Sequence, residues 1–109
     1  MYIRIARFEG AEAEAVDRQI EGIRQQIAEG RERMARGEVG GAEAEGMRAI
    51  KRTIVAVDRD GGRLANAVFA ETEEDIRKVD AWLNSMSPGA GGGRRTSVEI
   101  YEVAIDEQA

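Results

Sequence analysis

RAIKRTIVAVDRDGGRLANAVFA, the sequence of residues Arg48–Ala70, indicates the fold more clearly than any other segment of the chain. It contains two runs rich in β-branched and small apolar residues, Arg48–Val57 and Arg63–Ala70, with Asp58–Gly62 between them. An Asp-Gly pair between two such runs is typical of a β-hairpin, because glycine accommodates the positive φ angles that tight turns require. We therefore predict two antiparallel strands joined by a short turn in the middle of the chain.

The segments on each side of this hairpin change their periodicity between strand and helix. Strands are indicated by side chains that alternate with a period of two, and helices by apolar residues that recur every three or four positions. Thr72 followed by Asp75 resembles a capping box at the start of a helix. Outside the hairpin we predict, in chain order, a strand over Tyr2–Phe8, a helix over Glu12–Met34, a loop over Arg36–Gly46, a helix from Thr72 to about Met86, a flexible loop over Ser87–Thr96 and a strand over Ser97–Ile105.

The resulting order, β-α-β-β-α-β, is the split βαβ arrangement of ferredoxin-like domains. A chain of 109 residues is long enough for one core and too short for two. We therefore expect a single α+β domain over residues 1–109, with a four-stranded antiparallel sheet and two helices on one of its faces.

The predicted strands are apolar on both sides, which bears on assembly. Ile54 and Val55 lie on opposite sides of one strand, and Ile100 and Tyr101 on opposite sides of the last. A sheet with one solvated face would alternate apolar with polar residues instead. Because an apolar second face needs a cover, we expect a homodimer that forms through the sheet, in the form of a dimeric α+β barrel.

The composition excludes several kinds of chemistry. The chain has no cysteine and no histidine, so it offers no disulfide, thiol nucleophile, imidazole base or zinc site of the usual ligands, and we expect no metal and no cofactor. The net charge of −5 argues against nucleic acid and anionic membranes as partners. No apolar run approaches the roughly 20 residues of a membrane span, and the first residues enter a strand pattern rather than a signal peptide. We therefore expect a cytoplasmic protein.

Four segments together resemble a known superfamily. They are YIRIARFEG at 2–10, VDRDGGR at 57–63, ETEED at 71–75 and EIYEVA at 99–104. They resemble the dimeric α+β barrel superfamily and, within it, the antibiotic biosynthesis monooxygenase-like domains. The resemblance covers nearly the whole chain. It implies that two sheets pair into a barrel and that a cavity between sheet and helices holds the ligand.

The resemblance also implies site residues. The quinone-forming monooxygenases of this group use no cofactor and have an Asn on the third strand with a Trp four residues later. Asn66 matches the Asn, whereas Ala70 stands at the position of the Trp. The haem-degrading relatives use a histidine on the second helix as iron ligand, and this chain has none. The resemblance thus makes Asn66 the candidate catalytic residue of a cofactor-independent oxygenase and argues against haem degradation.

The polar and aromatic residues of the predicted elements give further candidates, each with a plain structural alternative. The Asn66 amide can hydrogen-bond a phenolic or carbonyl oxygen if it faces the cavity, or be satisfied by backbone or water at an edge. Phe69, Trp82 and Tyr101 are candidate pocket residues, and core packing is the alternative for all three. Arg4 can bind an anionic substrate or form a cross-strand pair with a residue such as Glu102.

Two charged or glycine-rich segments have a simple interpretation. The acidic residues of 71–75 fit a helix start, where negative charge is favourable, better than a cation site. The glycine-rich segment 89–95 matches neither a dinucleotide-binding loop nor a Walker loop. The remaining alternatives are a lid over the cavity and a flexible connection without a function of its own.

Three functional hypotheses follow from these observations. The first is a homodimeric domain that binds a small, partly apolar molecule between sheet and helices. The second is a cofactor-independent monooxygenase that acts on an aromatic or polyketide-like substrate. The third is a structural or interaction protein whose interior is filled by its own side chains.

Overall fold

The computed structural model describes residues 1–86 and 93–109 of the chain. Four strands and three helices follow each other in the order β-α-α-β-β-α-β. The elements are β1 (Tyr2–Glu9), α1 (Ala13–Ala35), α2 (Gly41–Ala49), β2 (Arg52–Asp58), β3 (Arg63–Ala70), α3 (Glu73–Asn84) and β4 (Arg94–Glu102). None of the helices in these described ranges is both long enough and apolar enough to cross a membrane.

The four strands form one antiparallel sheet in the order β2-β3-β1-β4. β1 and β3 are the central strands, and Ala6 of β1 lies opposite Asn66 of β3. With the strand–helix order of the chain, this arrangement is the ferredoxin-like α+β fold, so the predicted fold class is confirmed. The pairing of two such sheets into a barrel stays a prediction.

The hairpin between β2 and β3 is held by local polar contacts. The Asp58 carboxylate accepts a hydrogen bond from the Gly61 amide at 3.0 Å and a charged one from the Arg63 guanidinium at 2.5 Å. The positive φ angle of the loop, +63°, is at Gly62. The carbonyl of Gly62 accepts a hydrogen bond from the amide of Ala11 at 3.0 Å, so the hairpin is tied to the β1–α1 connection. A Cβ at this glycine would lie 2.7 Å from the Ala11 carbonyl oxygen, which leaves no room for a side chain.

The largest difference from the sequence prediction is helix α2. We predicted a loop over Arg36–Gly46 and a strand from Arg48, but the helix spans Gly41–Ala49 and β2 begins only at Arg52. The glycines in this segment suggested a loop. Instead, Gly46 lets α2 approach α3 closely, because a Cβ there would lie 2.6 Å from Cε3 of the Trp82 ring. Three helices rather than two therefore accompany the sheet.

The other boundaries agree more closely with the prediction. β3 has the predicted limits, and α1 is shifted by one residue. Helix α3 begins after Thr72, whose hydroxyl accepts a hydrogen bond from the Asp75 amide at 3.0 Å, as in the predicted cap. β4 begins at Arg94 instead of Ser97, because Arg94 already pairs with Glu9 of β1. Residues 87–92 of the predicted loop, and with them the possible lid, lie outside the described residues.

The buried apolar residues form two separate clusters between sheet and helices. The first, here called the α3 cluster, consists of Ala49, Val68, Ala70, Ile76 and Val79. The second, here called the hairpin cluster, consists of Ala11, Val16 and Leu64. β3 contributes to both, Leu64 near its start and Val68 and Ala70 near its end. Asn66 lies between them on the same side of the strand, so the apolar core is interrupted at a polar residue.

Candidate functional site

A cavity of about 480 Å³ lies between the sheet and the helices. Its walls include Ala6 and Phe8 of β1, Asn66 and Val68 of β3, Ile23 and Ile27 of α1, Met47 of α2, and Trp82 and Leu83 of α3. Most of these side chains are apolar. The remaining lining residues are mostly polar or charged: Arg4, Gln26, Glu29, Gly30, Arg31, Arg33, Glu43, Ile50, Thr53, Met86 and Arg95. The site therefore combines apolar walls with polar and charged groups that can orient a ligand.

Helix α1 lines the cavity between two contacts nearer its ends. Near its start, Val16 packs in the hairpin cluster. Near its end, Gly30 lies close to Met47 of α2, and a Cβ at Gly30 would be 2.7 Å from the Met47 methyl carbon. Ile23 and Ile27, between these two attachments, line the cavity. The apolar residues on this side of α1 are therefore divided between a core cluster and the cavity wall.

Asn66 faces this cavity. It lies opposite Ala6 of β1 and Val55 of β2, and this register directs its side chain toward the helices. Its Oδ1 atom is buried and has no hydrogen-bond partner among the described residues. An unpaired buried acceptor of this kind costs about 1–3 kcal/mol of stability. A ligand that donates a hydrogen bond to Oδ1 would remove this cost.

Arg4 of β1 brings a charge to the cavity wall. Its side chain is 2% exposed. Nε donates a hydrogen bond to Oδ1 of Asp80 at 2.8 Å, and Nη2 donates one to Oδ1 of Asn84, also at 2.8 Å. The expected cross-strand pair with Glu102 does not form, because the register places Ile100 opposite Arg4. Instead, α3 supplies both partners from positions four residues apart, which share one helix face.

Arg95 of β4 binds the same Asn84 side chain as Arg4 does. Its Nη1 donates a hydrogen bond to Oδ1 of Asn84 at 3.0 Å, and its side chain lines the cavity. Two guanidinium groups therefore share one neutral amide oxygen. Sequence reasoning did not find Asp80, Asn84 or Arg95 as site residues. The only signal for Asp80 and Asn84 was their i, i+4 spacing on a helix, which is also common among polar residues on solvent-facing surfaces.

The structure brings two of the four predicted site residues together. Asn66 and Trp82 line one cavity, from the sheet and from α3 respectively. Phe69 and Tyr101 are both paired with Ile3 and lie on the sheet face that points away from the helices. The structure does not bring them to the cavity, because side chains one position out of phase with Val68 and Ile100 point to the other side of the sheet.

The sheet face away from the helices is here called the open face. It carries Ile3, Ile5, Ile54, Phe69 and Tyr101, together with Arg7, Arg52 and Glu99. The Tyr101 hydroxyl donates a hydrogen bond to the Glu99 carboxylate, which also accepts one from Nε of Arg7 at 3.3 Å. The hydrogen bonds from Tyr101 and then Arg7 lower the pKa of Glu99, and the bond to Glu99 raises the pKa of Tyr101.

Two of the acidic residues at the start of α3 are already paired. Glu73 and Glu74 form ion pairs one turn further along with Arg77 at 2.9 Å and Lys78 at 3.5 Å. In residues 1–86 and 93–109 no group of three or more acidic side chains is placed to hold a metal ion.

The strand order and the cavity together define the class of protein: a ferredoxin-like α+β domain with a half-open cavity on the helix side of its sheet. No family model matches the chain, and no curated protein matches it. One solved structure, titled "De novo designed protein Ferredog-Diesel", is similar over 94% of this chain and 85% of its own, with 19% sequence identity and a TM-score of 0.40.

Proposed function

We propose that this protein is a homodimeric binding domain that holds a small, partly apolar molecule between its sheet and its helices. The observation that carries the proposal is the Asn66 Oδ1 atom, which lies buried in the cavity wall and has no hydrogen-bond partner among the described residues. Buried polar atoms are nearly always hydrogen-bonded, so this atom has the properties of one whose donor comes from a ligand. The volume of about 480 Å³ falls within the range of small-molecule sites.

The surroundings of Asn66 indicate what such a molecule looks like. Ile23, Ile27 and Trp82 offer apolar contact on the helix side of the chamber. The Asn66 oxygen accepts a hydrogen bond from a hydroxyl or N–H group. A flat aromatic or aliphatic body with one donor at its inner end satisfies both features.

Calorimetric titration with 2-naphthol and with naphthalene tests this proposal. We expect the wild-type protein to bind 2-naphthol saturably. Asn66→Leu should weaken that binding by about tenfold, the worth of one hydrogen bond, without weakening naphthalene. Phe69→Leu, on the same strand but on the open face, is the matched control and should bind like the wild type. Absence of saturable 2-naphthol binding, or equal binding by the two leucine variants, would contradict the proposal.

The homodimer is proposed to form through the open face. Ile54 is 37% exposed and Tyr101 is 48% exposed, and both share this face with Ile3, Ile5 and Phe69. Burial of these side chains against a second copy would remove apolar surface from water. The result is the barrel of two sheets that the superfamily resemblance implies.

Light scattering measures this assembly directly. We expect twice the mass of the 11.9 kDa chain. Ile5→Lys, in the centre of the open face, should give the monomer mass, whereas Ala28→Lys, on the exposed side of α1, should leave the dimer intact. A wild-type mass of 11.9 kDa would refute the dimer.

A cofactor-independent monooxygenase of the antibiotic-biosynthesis type is the second candidate. It is favoured by the position of Asn66 in the cavity, where the amide can stabilise negative charge that develops on a phenolic oxygen. Ala70, at the position matched to the family's tryptophan, is fully buried in the α3 cluster, and the aromatic wall of the chamber comes from Trp82 instead. Conversion of an anthrone would consume one O₂ for each anthraquinone and release water. Equal oxygen uptake by the wild type and Asn66→Ala would exclude this mechanism.

A further inference from the structure

The net charge of the side chains that line the cavity is opposite in sign to the net charge of the whole chain. The chain has a net charge of −5, yet its cavity is lined by four arginines and two glutamates. These are Arg4, Arg31, Arg33, Arg95, Glu29 and Glu43. Two of the arginines have a carboxylate partner: Arg33 pairs with Glu43 at 3.2 Å, and Arg4 pairs with Asp80 at 2.8 Å. An acidic protein therefore has a cavity with an excess of positive charge.

The excess is concentrated at Asn84. Arg4 and Arg95 each place a nitrogen within 3.0 Å of the same Asn84 oxygen. Both guanidinium groups are positively charged, so two like charges lie side by side, and among the described residues the Asp80 carboxylate is the one that forms an ion pair with them. A second anion beside Arg95 would relieve this repulsion.

No described residue supplies that second anion. Within residues 1–86 and 93–109 no carboxylate lies within ion-pair distance of Arg95. The intervening segment 87–92 has the sequence SPGAGG, which contains no acidic residue. Arg95 is therefore an exposed cation whose side-chain partner among the described residues is the neutral amide of Asn84.

We propose that the ligand of this cavity is an amphipathic organic anion whose carboxylate binds at Arg95. This inference rests on the proposed function and names the class of its ligand. The carboxylate accepts charged hydrogen bonds from Arg95, the apolar body lies against Trp82 and Ile27, and a hydroxyl or N–H group at the far end donates to Asn66. β3 and β4 lie on either side of β1, where Asn66 is opposite Ala6 and Arg95 is opposite Phe8, so their backbones are about 12 Å apart, a span that a two-ring hydroxy acid can bridge.

The test compares a hydroxy acid with its own ester. The probes are 6-hydroxy-2-naphthoate and methyl 6-hydroxy-2-naphthoate, titrated calorimetrically into the full chain at low ionic strength. A charge-assisted hydrogen bond predicts that the wild type binds the acid at least about tenfold more tightly than the ester. Arg95→Gln should abolish this preference and leave the affinity for the ester unchanged. Retained ester binding also shows that this variant is folded.

Arg94→Gln is the matched control, because it removes the same charge from the neighbouring residue. Arg94 lies opposite Glu9 and does not line the cavity, so the variant should keep the preference for the acid. Equal affinity of the wild type for acid and ester, or an equal loss in the two glutamine variants, would overturn the inference. If 2-naphthol binds but the acid has no advantage, only the anion is refuted. If no naphthyl probe binds, the proposed function fails as well.

Discussion

Replacement of Gly46 by alanine tests how α2 and α3 fix the wall of the cavity. The new Cβ would lie 2.6 Å from Cε3, 3.0 Å from Cδ2 and 3.2 Å from Cβ of Trp82. Carbon atoms make favourable contacts only beyond about 3.5 Å, so the ring has to move by roughly 1 Å or the helices have to separate. Overpacking of this kind costs about 1–3 kcal/mol, whereas alanine in place of a helical glycine contributes about 1 kcal/mol. We therefore expect Gly46→Ala to lower the free energy of unfolding by about 0–2 kcal/mol.

Two other helical glycines make this prediction an internal comparison. A Cβ at Gly22 of α1 would have no atom within 4 Å, so Gly22→Ala receives the gain in helix propensity alone and should stabilise the protein by about 1 kcal/mol. At Gly30 the obstacle is the methyl end of Met47, 2.7 Å away, and a flexible side chain moves more easily than an indole ring. The expected order of stability is Gly22→Ala first, Gly30→Ala second and Gly46→Ala last.

Urea unfolding followed by circular dichroism gives the three free energies, and Trp82 fluorescence reports separately on the ring. Trp82 is the only tryptophan of the chain, so its emission is not mixed with that of another residue. We expect the emission maximum to shift in Gly46→Ala and to stay in place in Gly22→Ala. If Gly46→Ala were as stable as Gly22→Ala, with unchanged emission, the close contact between α2 and the Trp82 ring would be refuted.

Three further predictions concern single polar contacts. Arg4→Met leaves Asp80 without its cation and should lower the free energy of unfolding by about 3 kcal/mol, measured in urea; a recovery in the double variant with Asp80→Leu distinguishes this from lost packing. Thr72→Ala removes the cap of α3 and should cost about 1 kcal/mol by the same measurement, whereas Thr72→Ser should cost much less. Glu99→Gln should return the raised pKa of Tyr101 toward its ordinary value, as measured by a phenolate absorbance titration. Because the pKa is raised in the folded state, the hydrogen bond to Glu99 stabilises the fold fully below the pKa of the unfolded chain. This stabilisation is lost as the pH rises through the folded-state pKa.

Local periodicity was sufficient for the number and order of the strands. It was insufficient for one helix and for the limits of two strands, because β2 spans Arg52–Asp58 rather than Arg48–Val57 and β4 spans Arg94–Glu102 rather than Ser97–Ile105. Arg63–Ala70 is bounded by a turn on one side and a cap on the other, so its limits could be read from neighbouring residues alone. The segment of α2 contains Gly40, Gly41 and Gly46, and these residues look the same in a sequence whether they form a loop or a close helix contact. The distinction depends on Trp82, thirty-six positions further along the chain, and no local pattern contains it.

The candidate site was predictable in its residue types and not in its geometry. Asn66 stands out because it interrupts an apolar strand, but the face it occupies depends on the register with Ala6 and Val55. A slip of one residue would reverse that face, and the neighbouring alanines do not discriminate between the two registers. The same dependence on register places Phe69 on the open face, whereas Trp82 reaches the cavity from helix α3.

A core divided by a polar residue is not what stability alone would favour. Ala6 and Asn66 lie opposite each other between the two apolar clusters, and a larger apolar side chain at either position would begin to join them. Asn66→Leu removes an unpaired buried acceptor and adds apolar contact, so it should raise the free energy of unfolding by about 1 kcal/mol or more. The same variant is expected to lose affinity for hydroxylated ligands. A gain in stability together with a loss of binding is the opposite of what a structural role for Asn66 predicts, because a residue retained for the fold would destabilise it when removed.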